Sequence, residues 1–406
     1  MSGRRRRPSL ALLLPGLLVA ATGVGAGDLL TGALAGSQTG LTLVWAAALG
    51  ALLKGCLNEG LARWQLASGE TLLEGWVLHL GRGVGYVFGA YLVLWAFITG
   101  GALVNACAAA SLAWLPDGAG DQRLLLGAAH ALAGLALVRY GGFAVFERLM
   151  AVSVLVMSGC VFLSAAQLLP DVGELLTGLV PSLPGGETRY TLGILGGVGG
   201  TVTILSYGYW IREHGRSGPE ALSTCRFDLA SAYTLTGLFG VAMLIIGSSI
   251  EVSGSGAKVG LALGASIETV LGPTGRLVFQ AGFHAAVFSS LLGVWQGVPY
   301  LFADLVRLLR GGGQGGGDLS HTRAYRGFQL GLALLPLTLL GVSFRGVQLA
   351  YAVGGALFMP FLALSLLLLT NRKQVMGEAR SGVLANLLLV ATLALFAWVA
   401  LAPLSA

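Results

Sequence analysis

Apolar runs of about twenty residues recur along the whole chain, separated by short polar or glycine-containing turns. A helix of about 20 apolar residues matches the thickness of a bilayer's hydrocarbon core. Eleven runs of this kind are predicted: 11–36, 41–62, 85–115, 122–139, 149–168, 191–211, 228–250, 277–306, 327–343, 347–370 and 382–403. An amphipathic stretch at 69–82 precedes the third, and a short helix around 258–271 precedes the eighth. The run GGGQGGG at 311–317 reads as a flexible linker.

Two of the runs contain a defect. In the first, Thr22-Gly23-Val24-Gly25-Ala26-Gly27-Asp28 places three glycines and a carboxylate inside an otherwise lipid-compatible segment. Glycine weakens a helix interior, and an acid at membrane depth is costly. The helix is therefore expected to break there, with its freed backbone groups facing protein or a cavity rather than lipid. The sixth run repeats the defect: Gly196, Gly197, Gly199 and Gly200 are followed by Thr201, Thr203 and Ser206. It comes five spans after the first, and adjacent five-span units run in opposite senses because five is odd. Spans 1–5 and 6–10 thus fit an inverted repeat with span eleven appended, and paired interrupted spans mark the binding site of secondary transporters. A tight small-residue packing seam is the alternative for Gly196–Gly200.

Composition fixes the class. Of 406 residues, 55% are hydrophobic and 10% charged, against about 25% charged in soluble domains. This is a polytopic membrane protein. The net charge of +6 follows the loops and suits anionic headgroups, so nucleic acid is not expected as a partner, and no obligate protein partner is implied. Arg4–Arg7, Arg63, Arg82, Arg139, Arg148, Arg212, Arg216, Arg226, Arg307, Arg310, Arg323, Arg326, Arg372, Lys373 and Arg380 fall on one side. Arg123, Arg189, Lys258, Arg276 and Arg345 fall on the other. This asymmetry predicts a cell-membrane protein with a cytoplasmic N-terminus, retained as an anchor, and an extracytoplasmic C-terminus. The expected organisation is a basic N-terminus (1–10), a first repeat (11–168), an extracytoplasmic loop (169–190), a second repeat (191–370), and a cytoplasmic turn with the eleventh span (371–406). The four cysteines, Cys56, Cys107, Cys160 and Cys225, have no metal or redox spacing. No Ser-His-Asp set, nucleotide loop or HExxH motif appears, so no enzyme and no cofactor are expected.

Several segments, in order, resemble the Nramp-type divalent metal transporters. They are Leu14-Pro15-Gly16-Leu17-Leu18-Val19 with Gly25-Ala26-Gly27-Asp28, Leu61-Ala62-Arg63-Trp64 through Ala67-Ser68-Gly69-Glu70, Phe146-Glu147-Arg148-Leu149, Leu271-Gly272-Pro273, and Asn371-Arg372-Lys373-Gln374-Val375-Met376-Gly377. The resemblance implies a LeuT-type fold: all-α, about eleven spans, a 5+5 inverted repeat, with helices 1 and 6 broken. The departures are specific. The family's first-break Asp, Pro and Asn fall on Gly25, Ala26 and Asp28. The Met and His of its second break fall on Thr203 and Leu205. The acids it uses for protons in span three have no counterpart in WAFITGGALVNACAAAS.

The altered site would offer oxygen alone: the Asp28 carboxylate, the Thr203 hydroxyl, and carbonyls near Thr22 and Gly200, with Gly25 and Gly200 widening the space. Asp28 and Thr203 are the candidate metal ligands, and the metal is cargo rather than cofactor. Oxygen donors suit hard ions such as Mg²⁺, Ca²⁺ or Mn²⁺. Without the proton-relay groups, facilitated passage by alternating access is expected, weakly or not proton-coupled. Asp28 as a simple N-cap of the second half-helix is an alternative. Two other functions stay open: transport of a small organic or anionic solute bound at helix N-termini, and a non-transporting scaffold or sensor. Ser206, Gln348 and His284 are pathway candidates. Lys54 is an intramembrane cation in need of a partner, and Glu59 and Arg63 are spaced to pair.

Overall fold

The computed structural model describes residues 13–115, 122–182, 188–197, 199–249, 258–315 and 317–401. The side chains of 26–28, 30, 188, 189, 258–263, 345, 349 and 399–401 fall outside that description. The expected basic N-terminus at 1–10 lies outside it as well.

Every regular element among these residues is helical. The first half comprises α1 (Leu14–Gly23), α2 (Ala26–Thr39), α3 (Val44–Ser68), α4 (Leu72–Gly75), α5 (Arg82–Leu112), α6 (Arg123–Tyr140), α7 (Gly142–Ala166) and α8 (Val172–Thr177). The second comprises α9 (Thr188–Gly197), α10 (Ser206–Glu213), α11 (Leu222–Ser248), α12 (Lys258–Leu309), α13 (Arg323–Leu334), α14 (Phe344–Ala356) and α15 (Phe358–Thr370), followed by α16 (Lys373–Met376) and α17 (Val383–Leu401). Both expected interruptions appear as gaps, between α1 and α2 and between α9 and α10. The expected separate helix before span eight is continuous with it through a kink at Gly272, whose φ of 71° is left-handed.

Among the described residues, seven helices are long and apolar enough to cross a membrane alone. An eighth is the pair Lys373–Ala379 and Val383–Trp398, bent by 119°. Fewer helices than the eleven apolar runs pass on length and apolarity because α1 is cut to 10 residues, α13 is only 12 long, and α3 carries Lys54, Glu59 and Arg63. Leu125, Leu155 and Leu384 stand exposed on the outer faces of α6, α7 and α17, as lipid-facing side chains do.

Close packing by small residues holds the interior together. A methyl group at Gly36 would overlap the Leu244 carbonyl, and one at Gly247 would overlap the Ala33 carbonyl, so α2 and α11 touch backbone to backbone.

The face bearing most of the arginines is tied by buried carboxylates. Asp228, at the start of α11, accepts from the Gly16 amide at 2.9 Å, from Tyr207 at 3.0 Å and from Arg216 at 2.8 Å. A methyl group at Gly16 would overlap Asp228 Oδ1, so the Pro15-Gly16 opening of α1 exists to let this acid approach the helix N-terminus. Glu74 is fully buried, forms a capping box with Thr71, and pairs with Arg307 at 2.8 Å. Asp304 accepts from Tyr209 at 2.6 Å and pairs with Arg307 at 2.7 Å.

The segment 311–317 is not a free linker. Arg307 donates to the Gly313 carbonyl, Gln314 donates to Glu70, and the Gly315 amide donates to Glu74 at 3.0 Å. The same acids account for the 69–82 stretch, which is drawn inward: Glu70, Thr71 and Glu74 are all buried.

Removing one member of a buried ion pair costs about 3–5 kcal/mol, because its partner stays charged and unpaired. Asp228→Ala is therefore expected to destabilise the detergent-solubilised protein by about that amount. The readout is the thermal unfolding midpoint, and an unchanged midpoint would refute the anchoring role.

Candidate substrate site at two interrupted helices

The first interruption is short. Gly23 ends α1, Val24 turns to an extended conformation, and the Gly25 carbonyl already accepts from the Leu29 amide as α2 begins. Two serines of α12 reach the carbonyls at this break. Ser289 Oγ donates to Ala21 at 3.0 Å, and Ser290 Oγ lies 2.9 Å from the Thr22 carbonyl and 3.2 Å from that of Val24. A methyl group at Gly25 would overlap Ser290 Oγ, so the glycine admits the serine rather than enlarging a cavity.

At the second interruption α9 ends at Gly197, and Gly199 and Gly200 follow with φ of 86° and 81°. Only glycine adopts this conformation without strain. A 3₁₀ turn over Val202–Leu205 then leads into α10. The two breaks meet directly: a methyl group at Gly23 would lie 2.7 Å from the Gly199 carbonyl carbon and 2.9 Å from the Gly200 nitrogen.

Three oxygens around this junction, Thr22 Oγ1, Thr201 Oγ1 and Ser206 Oγ, and Gln348 Oε1 on α14 are buried without a hydrogen-bond partner among the described residues. A buried polar atom left unmatched is costly and calls for an explanation. Thr22 and Ser206 face Gly293 and Gly297, one turn apart on α12, where any larger residue would overlap them. Thr201 sits against Gly355 of α14. Thr203 is nearly buried, and a methyl group at Gly200 would be 2.8 Å from its hydroxyl.

The expected residues Thr22, Gly25, Gly200 and Thr203 are thus gathered at one junction. Ser206 adjoins it through α12. Gln348 is anchored on α5, its Nε2 donating to the Ala102 carbonyl at 2.9 Å. His284 turns elsewhere: its Nε2 is 3.1 Å from His130 Nε2 on α6. The Asp28 side chain lies outside the described residues. Its backbone is the third residue of α2, one turn past the N-cap position that Gly25 fills, so the simple N-cap alternative does not hold at the backbone level.

One element of the site has no pattern in the sequence. Lys54 is 1% exposed and donates to the Gly196 carbonyl at 2.7 Å, placing an ammonium on the C-terminal end of α9. The sequence marks Lys54 as an intramembrane cation, but the partner is a backbone group and is invisible in residue spacing. Among the described residues no group of three or more His, Cys, Asp or Glu side chains could hold a metal.

Gly25→Ala is expected to destabilise the fold by about 1–3 kcal/mol through overpacking against Ser290. Gly25→Ala combined with Ser290→Gly should recover part of that loss in the unfolding midpoint. If the double variant is as unstable as the sum of the singles, the contact is not the cause.

Comparison with known proteins follows the same lines. No curated protein sequence matches the chain. A mutant form of the manganese transporter of Eremococcus coleocola superposes with a TM-score of 0.76 at 18% identity, covering 99% of this chain and 88% of that one. MhsT in complex with L-phenylalanine gives 0.61 at 16% identity, covering 98% of each chain. MHP1, a nucleobase-cation-symport-1 family transporter, gives 0.60 at 14%, covering 96% and 92%. These likenesses establish the LeuT-type transporter fold. The family described as Nramp, natural resistance-associated macrophage protein-like, matches residues 16–405. With all but the first fifteen residues and the last within that match, the chain belongs to the Nramp family.

Proposed function

We propose that the protein carries a divalent metal cation across the membrane by alternating access, binding it where the two interrupted helices meet. The observation that carries this reading is the set of buried hydroxyl oxygens at the breaks, Thr22, Thr201 and Ser206, that have no hydrogen-bond partner among the described residues. Membership of the Nramp family and the fold shared with a manganese transporter support a metal as cargo. Asp28 supplies the anionic ligand and Thr203 a neutral oxygen opposite it. A donor set of carboxylate, hydroxyl and carbonyl favours Mn²⁺ or Mg²⁺ over softer ions. Mg²⁺ retains part of its water shell when bound, which suits hydroxyl donors that need not all touch the ion. The buried polar residues of α5, Thr99, Asn105 and Ser111, carry no acid or base that titrates near neutral pH, so transport is driven by the cation gradient with little or no proton coupling.

The test is flux into proteoliposomes. Mn²⁺ or Mg²⁺ uptake is expected in the native protein, lost in Asp28→Ala, reduced at least tenfold in Thr203→Ala, and unchanged by an imposed pH gradient. Absence of any cation flux from folded protein would defeat the reading.

Lys54 favours a second reading. Its ammonium, one turn before Gly200, repels a divalent ion and attracts an anionic or zwitterionic solute. The two readings separate on Lys54→Met. Removing the charge raises cation uptake if a cation is carried, and abolishes solute binding if an anionic group is recognised.

A further inference from the structure

A groove of about 860 Å³ runs between α3, α11 and α17. Its walls are small or aliphatic along nearly the whole length, with Ala48, Ala51 and Gly55 on α3, and Ala230 and Gly237 on α11. Leu52 and Leu238 on its margins are more than half exposed, so the groove opens towards hydrocarbon. From Arg226 to Val241 its α11 wall extends about 22 Å at 1.5 Å per residue. That exceeds the roughly 15 Å of hydrocarbon in one leaflet.

All the charge lies at one end. Glu59, Arg63, Arg226 and Arg380 line the mouth on the basic face. Glu59 Oε1 accepts from Arg63 at 2.6 Å and from Arg226 at 2.8 Å, so one carboxylate is shared by two guanidiniums. Arg380 donates from Nε to the Gly377 carbonyl at 3.2 Å, which orients the third. Three guanidiniums against one carboxylate leave two positive charges in excess (3 − 1). Arginine clusters at headgroup depth between transmembrane helices suit lipid phosphates, which they bind through charge-assisted hydrogen bonds.

We propose that this groove is a binding site for an anionic phospholipid of the leaflet on the basic face, with its phosphate at Arg63, Arg226 and Arg380 and an acyl chain along α3 and α11. The largely apolar walls, with only Cys56, Tyr233 and Thr234 as polar side chains away from the charged mouth, suit a hydrocarbon chain better than a peptide, whose backbone would find few hydrogen-bond partners there. The floor connects the site to the breaks. Tyr233 lines the groove, accepts from Asn58 Nδ2 at 3.2 Å, and lies so close to Gly199 that a methyl group there would be 3.1 Å from the ring. A bound chain therefore rests on the side chain that backs the second interruption. The proposal does not depend on what the protein transports.

Native mass spectrometry of the detergent-purified full chain tests it, with titrations of phosphatidylglycerol, phosphatidylcholine and inorganic phosphate. Phosphatidylglycerol adducts are expected at concentrations at least tenfold below those needed for phosphatidylcholine. Arg226→Gln combined with Arg380→Gln should erase that preference, and Arg310→Gln, outside the groove, should not. Ala230→Trp places a ring in the groove from an exposed position and should weaken both lipids at least tenfold. Equal retention of the two lipids by the native chain overturns the proposal. So does a preference that survives the double arginine variant, or binding of both lipids that survives Ala230→Trp. Inorganic phosphate alone matching phosphatidylglycerol would mean a phosphate site, and would also overturn it.

Discussion

A carbonyl freed from a helix inside a membrane must find a donor, because hydrocarbon offers none. The first interruption of this protein is possible because Ser289 and Ser290 of α12 supply two such donors, Ser289 to Ala21 and Ser290 to either Thr22 or Val24. Much else follows from that contact. Gly25 must lack a side chain so that Ser290 can reach in, and Gly293 must lack one so that Thr22 can lie against the same helix. With α1 fixed on α12, Gly23 is held against Gly199 and Gly200, and two breaks from distant parts of the chain become one site.

The outer ends of the half-helices are held in a different way. On the basic face, Asp228 binds the N-terminus of α1 while Tyr207, one residue into α10, donates to the same carboxylate. A single buried acid thus ties the first broken helix to the second, and Arg216 pairs with it at 2.8 Å. Glu74, Asp304 and Arg307 make a second tie, which also secures the glycine-rich segment 311–317. The opposite face shows no comparable network among the described residues, its one ion pair being Arg276 with Glu268.

How much of this was legible in the sequence depends on whether the signal was local. Glycine clusters beside polar residues are local, and they marked both interruptions at the right places. Family membership was legible because many weak segments fell in the right order. Partners that meet through backbone atoms were not legible: Lys54 finds the Gly196 carbonyl, and Asp228 finds the Gly16 amide, neither of which leaves a side-chain pattern. The flexible-linker reading of GGGQGGG failed because composition describes an isolated segment, whereas Glu70 and Glu74 provide it with fixed acceptors. His284 was placed on a pathway from its position in an apolar span, and it instead pairs with His130 across a helix interface that no spacing rule describes. Gly25 was read as space for a ligand, and in the structure that space belongs to Ser290.

The proposed function places a cation between the two interruptions, held by oxygen. Anomalous scattering from crystals grown with Mn²⁺ tests it most directly. The expected result is a peak at the junction of Gly23 with Gly199 and Gly200, in contact with the Asp28 carboxylate and the Thr203 hydroxyl. Peaks confined to surface carboxylates, with the junction lacking one at saturating Mn²⁺, would contradict it.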